Sequence, residues 1–284
     1  MGACFSAVNS AVSPLSIYAP TGPNTNIIPL VDQPHLLNLP LSAVAVMSSH
    51  NSYIRTFQHV GESSTEALQI ALDHGCRFLE LDVYRDPAKP EQVFVAHGKE
   101  ELPEDILTTT RLPLDEAFRF IASHAFVRTN DPLFIALELN VHNNATACDA
   151  IADLIDRHFA SRLLRDPFTP AASLRSLLDK VIFFSGGGAA GPRLPSLINT
   201  QWSEAFQNIP SLVPAASING TDNCIRVYPA GDIKGALSLN FNPIPYLMRG
   251  ATFVALNVCT SDTPMDYYVT WFGTSSFIKK PALT

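Results

Sequence analysis

His50 and Asn51 stand directly behind an apolar run in LSAVAVMSSHNSYI. A buried strand needs neither side chain, and each loses solvation if left without a partner. The pattern recurs: Glu80 and Asp82 lie two apart in CRFLELDVY, His97 closes VFVAHG, and Glu138 sits near the end of LFIALELN. Side chains at i and i+2 of a strand share a face, so Glu80 and Asp82 project together while Leu79 and Leu81 pack on the other side. Carboxylates gathered this closely repel unless a positive charge sits among them. Oxygen donors from Asn51, Glu80, Asp82 and Glu138 suit a hard cation, Ca²⁺ above all, whose shell of roughly 6–8 oxygens leaves places for substrate and water. Zinc fits this set poorly. Two histidines outside the metal shell, His50 and His97, can then move protons or meet a developing phosphate charge near neutral pH. Taken singly, each residue has a structural explanation, and it is the set that points to a site. His59, His74, His124, His142 and His158 fall in helical or loop contexts and read as structural or surface residues.

To bring these residues together, the chain must deliver several strand ends to one place. Apolar runs alternate with amphipathic segments, which predicts strand and helix units around a mostly parallel sheet. SAVAVMSS, CRFLELDVY, VFVAHG, LFIALELN, KVIFFSG, CIRVYP and ATFVALNV read as strands, and YYVTWF as a further strand that closes the structure. Leu68, Ala71 and Leu72 in STEALQIALDHG have helical spacing, with Ser63 and Glu66 as a capping box and Gly75 as the stop. LDEAFRFIASHAF and ACDAIADLIDRHFASRLL read as further helices. The expected fold is α/β, a single (β/α)₈ TIM-type barrel, distorted or incomplete, behind a flexible N-terminal tail. In such barrels catalytic groups gather at the carboxyl ends of the strands.

Composition narrows the function classes. With 284 residues and 46% hydrophobic content the chain can bury one large core. A formal charge of −7 and the lack of a Lys/Arg stripe argue against a nucleic-acid partner. Five cysteines scattered singly read as reduced intracellular thiols, which makes the sequons at Asn144 and Asn219 chance matches. No stretch approaches the ~18 apolar residues of a membrane span, and the start lacks the pattern of a secretory signal. MGACFS does fit N-myristoylation at Gly2, with Cys4 available for palmitate as the second anchor that stable membrane attachment requires. This predicts a monomer held peripherally at the cytoplasmic face of a membrane.

The residues also resemble a family. SSHNSYI, ALDHGCRFLELDVYRD, VFVAHG and LFIALELNVH are similar to the X region of eukaryotic phosphoinositide-specific phospholipase C, and CIRVYPAGD, ATFVALNVCTSDTPMD and FIKKPA to its Y region. The resemblance divides the chain into a tail at 1–39 and a catalytic barrel at 40–284. Within the barrel it gives an X-like half at 40–185, a Gly-rich connection at 186–195 and a Y-like half at 196–284. It implies catalytic roles for His50 and His97 and calcium ligation by Asn51, Glu80, Asp82 and Glu138. The implied reaction is attack of the inositol 2-hydroxyl on the adjacent phosphodiester, with Glu80 or Glu138 as base. Diacylglycerol leaves, and water opens the resulting cyclic phosphate.

The resemblance further places Ser203, Arg226 and Tyr228 against the headgroup of a phosphoinositide lipid. Where the family carries a Lys-x-Lys pair toward the ring phosphates, this chain has Phe184 and Gly186, which implies a weaker preference for the bisphosphate. The short X–Y connection and the lack of residues for pleckstrin-homology, EF-hand or C2 modules imply control by calcium and membrane access. Two other readings are a catalytically silent lipid- or calcium-binding module and a glycerophosphodiester phosphodiesterase.

Overall fold

The structure, a computed structural model, describes residues 26–57, 61–98, 106–220, 222–230 and 239–282. Gly2, Cys4 and His59 lie outside the described residues. Eleven strands form among them: β1 (Val44–Ser49), β2 (Phe78–Arg85), β3 (Val93–Val95), β4 (Leu112–Pro113), β5 (Leu133–Asn140), β6 (Val181–Ser185), β7 (Thr200–Gln201), β8 (Phe206–Pro210), β9 (Cys224–Tyr228), β10 (Phe253–Leu256) and β11 (Phe277–Lys279). The α-helices are α1 (Pro34–Leu37), α2 (Thr65–Asp73), α3 (Leu114–His124), α4 (Ala145–Phe159), α5 (Leu174–Leu177), α6 (Leu194–Leu197), α7 (Ile244–Met248) and α8 (Thr263–Phe272).

Eight strands pair in the order β7-β6-β5-β2-β1-β10-β9-β8, every neighbour parallel. The result is a nearly closed α/β barrel whose open seam falls between β7 and β8. Antiparallel β11 extends the sheet beside the start of β1, and a β3–β4 hairpin hangs from β2.

The period-2 alternation of strands separates two cores. Leu79, Leu81 and Val83 of β2, Ile135 and Leu137 of β5, and Val254 and Leu256 of β10 face outward and pack with residues of α2, α3, α4 and α8. Phe78, Phe134, Phe184, Phe206 and Phe253 face inward and fill the lower barrel. Their rings meet edge-on or tilted, with centroids 4.6 Å apart for Phe78–Phe253 and 5.5 Å for Phe184–Phe206. The barrel is therefore a packed plug rather than a pore, and only its upper layer is open to polar residues.

Several sequence expectations are corrected. YYVTWF belongs to helix α8, whose N-cap Asp262 accepts from the Met265 amide and whose Met265, Tyr268 and Phe272 are buried at helical spacing; the strand beside β1 is β11 instead. VFVAHG supplies an antiparallel strand, β3, not a barrel strand. The cap of α2 is Ser64, which accepts from Ala67, while the Ser63 amide donates to Thr110 Oγ1. Gly75 does end that helix, with φ of 92°. Helix α4 stops at Phe159, before SRLL. Residues 26–39, expected in the tail, are ordered beneath the barrel: Leu30, Leu36 and Leu37 are buried, and the Leu30 amide donates to Asp131 Oδ1 at 2.8 Å. Among the described residues no helix is long and apolar enough to cross a membrane.

Candidate active site

Along β2 the inward positions run from Phe78 through Glu80 to Asp82, so the aromatic floor gives way to two stacked carboxylates. Along β5 the corresponding run is Phe134, Ala136 and Glu138. The β2–β5 register sets Asp82 directly beside Glu138. Ligand oxygens of Glu80, Asp82 and Glu138 all lie within 4.8 Å of one another. Like charges paired across strands are destabilising. Asp82, then burial, then Glu80 push the Glu138 carboxyl up to about 8, although Glu138 is the exposed member of the three.

The donor set fits a hard cation. Asp82 is 5% exposed and its Oδ1 is buried with no hydrogen-bond partner, a costly state that a cation relieves. Asn51 completes an all-oxygen set. Its backbone sits in the left-handed region at φ 42°, which asparagine tolerates better than most residues. This turn aims the Asn51 amide at Glu80 Oε2, 3.2 Å away. Tyr53 braces the same loop, its hydroxyl donating to Ala96 O at 2.9 Å and Asn51 Oδ1 at 3.4 Å.

Both histidines flank the carboxylates. His97, two residues beyond β3, places Nδ1 3.1 Å from Asp82 Oδ2 and 3.3 Å from Asn51 Nδ2. It thus reaches the site from a hairpin rather than from the end of a parallel strand. His50 directs Nε2 toward Glu80 Oε2 at 3.8 Å and holds Nδ1 2.8 Å from Asn257 Oδ1. Burial lowers the His50 pKa, with Glu80 acting against it.

Arg226 enters from the inward face of β9 and forms an ion pair with Glu80 Oε1 while donating to Asn208 Oδ1 at 2.9 Å. At 3% exposure it is buried, and its guanidinium lies 5.6 Å from the Trp202 ring centre and 4.9 Å from that of Tyr228. Burial would raise the Glu80 pKa, but Arg226, His50 and the Asn51 amide together hold it below the ordinary carboxylate value. The family resemblance set Arg226 against the lipid headgroup and gave no sign of this partner, which is 146 residues away in the chain.

Tyr228 lies beside Arg226, whereas Ser203 sits in the exposed turn between β7 and β8, bonded to Phe206. Phe184 is fully buried among the floor rings, and the Trp202 indole covers Gly186. Asn208, Asn240 and Asn257 also went unnoticed in the sequence. Asn257 had a signal: it ends the apolar run ATFVAL as His50 ends its own.

Comparison with known proteins relates the chain to one family. Human 1-phosphatidylinositol 4,5-bisphosphate phosphodiesterase delta-1 is 26% identical over an alignment covering 86% of this chain and 40% of that protein. The gamma-2 enzyme of Rattus norvegicus is 37% identical over 103 residues, which cover 36% of this chain and 7% of the relative. The chain thus spans less than half the length of these relatives. The crystal structure of L. pealei PLC21 superposes with a TM-score of 0.73 at 20% identity, covering 86% of this chain and 38% of the other. The phosphatidylinositol-specific phospholipase C of Listeria monocytogenes has a TM-score of 0.57 at 12% identity, covering 82% and 94%. These two structures share the fold. The family described as phosphatidylinositol-specific phospholipase C, X domain, matches residues 37–185, more than half of the 284 residues, and the chain belongs to it.

Proposed function

We infer that this chain is a calcium-dependent phosphoinositide phospholipase C, releasing diacylglycerol and passing through a cyclic inositol phosphate. The observation that carries this reading is the cluster of Glu80, Asp82 and Glu138 around an unpartnered Asp82 oxygen, with His50 and His97 on its flanks. Asn51, Glu80, Asp82 and Glu138 would hold the ion. Bound Ca²⁺ would lower the pKa of the inositol 2-hydroxyl and offset charge on the phosphorane.

The protein's own groups take the remaining work. Glu80 has one oxygen on Arg226 and the other on the Asn51 amide, so Glu138, whose carboxyl a bound cation would return to the ionised form, is the better placed to receive the 2-hydroxyl proton. As the 2-oxygen bonds to phosphorus, the bond from phosphorus to the glycerol oxygen breaks. An imidazolium at His97 that holds Asp82 through Nδ1–H has Nε2–H to give to that leaving oxygen. His50 faces the phosphoryl oxygen, where a hydrogen bond stabilises developing charge. Arg226 and Tyr228 line the headgroup side, and Ser203 approaches from the rim.

Phe184 of β6 and Gly186, one residue beyond it, lie under Trp202 and bring no cationic side chain to this wall. This supports weaker discrimination in favour of the bisphosphate than a lysine-lined wall gives. Acylation at Gly2 and Cys4 is the proposed route to the membrane, and continued membrane localisation of a Gly2→Ala variant would refute it. The function itself is tested by turnover on vesicles of phosphatidylinositol, its 4-phosphate and its 4,5-bisphosphate. Release of cyclic inositol phosphate that stops with chelator and in His50→Ala is the expected result. A silent binding module releases nothing, and a glycerophosphodiesterase prefers deacylated substrate. A strong bisphosphate preference would overturn the headgroup reading alone.

A further inference from the structure

β1 and β10 are parallel neighbours, paired in register through Ser49 and Leu256. The next residue on each strand is His50 and Asn257, and the His50 amide donates to Leu256 O at 2.8 Å, extending the ladder by one step. Strand register therefore sets these two side chains together on the inward face. Asn257 Oδ1 lies 2.8 Å from His50 Nδ1. A carbonyl oxygen can only accept, so the ring nitrogen facing it must carry a proton.

Asn257 is 4% exposed and held on both sides. Its amide donates to Asn240 Oδ1 at 2.7 Å, and its carbonyl accepts from Asn240 Nδ2 at 3.3 Å. Asn240 is bound in turn to Asp262, through its amide at 2.8 Å and its Nδ2 at 3.2 Å. Asp262 caps α8. The chain from His50 through Asn257 and Asn240 ends on the start of a helix packed against the barrel, a rigid anchor.

We propose that Asn257 is the positioning residue for His50, fixing the ring orientation and keeping the proton on Nδ1, so that Nε2 is the working nitrogen. In a neutral ring Nε2 then carries a lone pair and accepts a proton. It donates to a phosphoryl oxygen only after the ring has taken a second proton. Which nitrogen does the chemistry is decided on the side of the ring turned away from Glu80, a constraint of the kind that outer partners impose on ligating histidines.

This deepens the phospholipase reading and rests on it only for its kinetic arm. The first measurement needs no turnover: ¹⁵N spectra of the ring-labelled full chain at a pH where His50 is neutral, assigned with His50→Gln. Nδ1 is expected to carry the proton in the wild type and in Asn257→Asp, which keeps an acceptor oxygen, and to lose that preference in Asn257→Leu. In the kinetic arm Asn257→Leu is expected to lose roughly 10–100-fold in kcat with KM nearly unchanged, while Asn257→Asp recovers most of it. The Asn240 bonds go to the Asn257 main chain, so they survive both substitutions.

A wild-type ring protonated mainly on Nε2 would overturn the proposal. So would an Asn257→Asp variant as impaired as Asn257→Leu, because the amide would then be acting as a donor. Unchanged kcat in a folded Asn257→Leu would also overturn it. If the wild type cleaves no phosphoinositide, the functional reading fails while the spectra still decide the position of the proton.

Discussion

On β2 the inward positions climb from Phe78 through Glu80 to Asp82, whereas on β6 they climb from Ile182 to Phe184, with Gly186 one residue past the strand end. The strands share the same alternation and the same floor, yet one ends in charge and the other in an aromatic lid completed by Trp202. The acidic side is under electrostatic tension that a cation can release. The aromatic side is satisfied by packing. Arg226 joins the two, with its guanidinium beside Trp202 and an ion pair to Glu80. Charge is thus concentrated on one wall of the barrel mouth, and the opposite wall supplies shape.

Removing the proposed proton carrier on the acidic side should have the largest effect. His97→Ala is expected to lower kcat by roughly 10²–10⁴-fold, read by cyclic phosphate release, with calcium affinity from titration calorimetry much less affected. Asp82→Asn should instead weaken calcium binding together with turnover. If both variants lost calcium binding equally, His97 would belong to the ion site and the division of labour would be wrong.

The bridge comes next. Arg226→Leu leaves Glu80 buried without its partner, a change that costs about 3–5 kcal/mol in comparable sites. Thermal unfolding should show a large loss in chelator and a smaller one in calcium, because a bound cation offers Glu80 a new counter-charge. An equal loss in both conditions would mean that Glu80 does not face the ion.

On the aromatic side, Phe184→Lys tests whether a missing cation can simply be reinstated. Phe184 is fully buried between Phe78, Phe206 and Trp202, so the variant should lose about 3 kcal/mol or more without gaining preference for the bisphosphate. A stable variant that gains that preference would show the lid to be open.

The smallest effect concerns Lys280, at the base of β9 and β10, which donates to Gly220 O, Asn223 O and Thr252 Oγ1. Burial lowers its pKa to about 8, with Cys224 acting in the opposite direction. An amine whose pKa falls on folding costs stability at low pH, where both states hold the proton. The cost disappears as pH rises through the range from about 8 to the unfolded value near 10.5. Relative to Lys280→Met, the wild type should therefore gain about 2–3 kcal/mol across that range, measured by urea unfolding. The buried thiols of Cys76 and Cys259, which burial pushes up, pull stability down with rising pH in both proteins and cancel in the difference. A gap that narrows with pH would contradict the burial of the ammonium.

Much of the acidic side was legible because strand periodicity is local: two carboxylates at i and i+2 need no knowledge of the rest of the chain. The aromatic side was less so. β7 and β8 are two and five residues long, and β8 ends in Pro210, so neither gives a clear apolar run. YYVTWF misled through its aromatic and β-branched content, although Asp262 and Pro264 ahead of it are helix-start residues. The antiparallel turn of β3 brings His97 to the site by a route that composition does not encode. Pairs such as Arg226 with Glu80 are fixed by which strands become neighbours, a tertiary property.

The register that joins His50 to Asn257 spans 207 residues of chain. During synthesis, the carboxylates and both imidazoles emerge well before Phe253–Leu256 docks beside Val44–Ser49. Until then the nascent polypeptide has the reactive groups but no means of orienting His50. Any chemistry at this site therefore waits for the last parallel strand to dock.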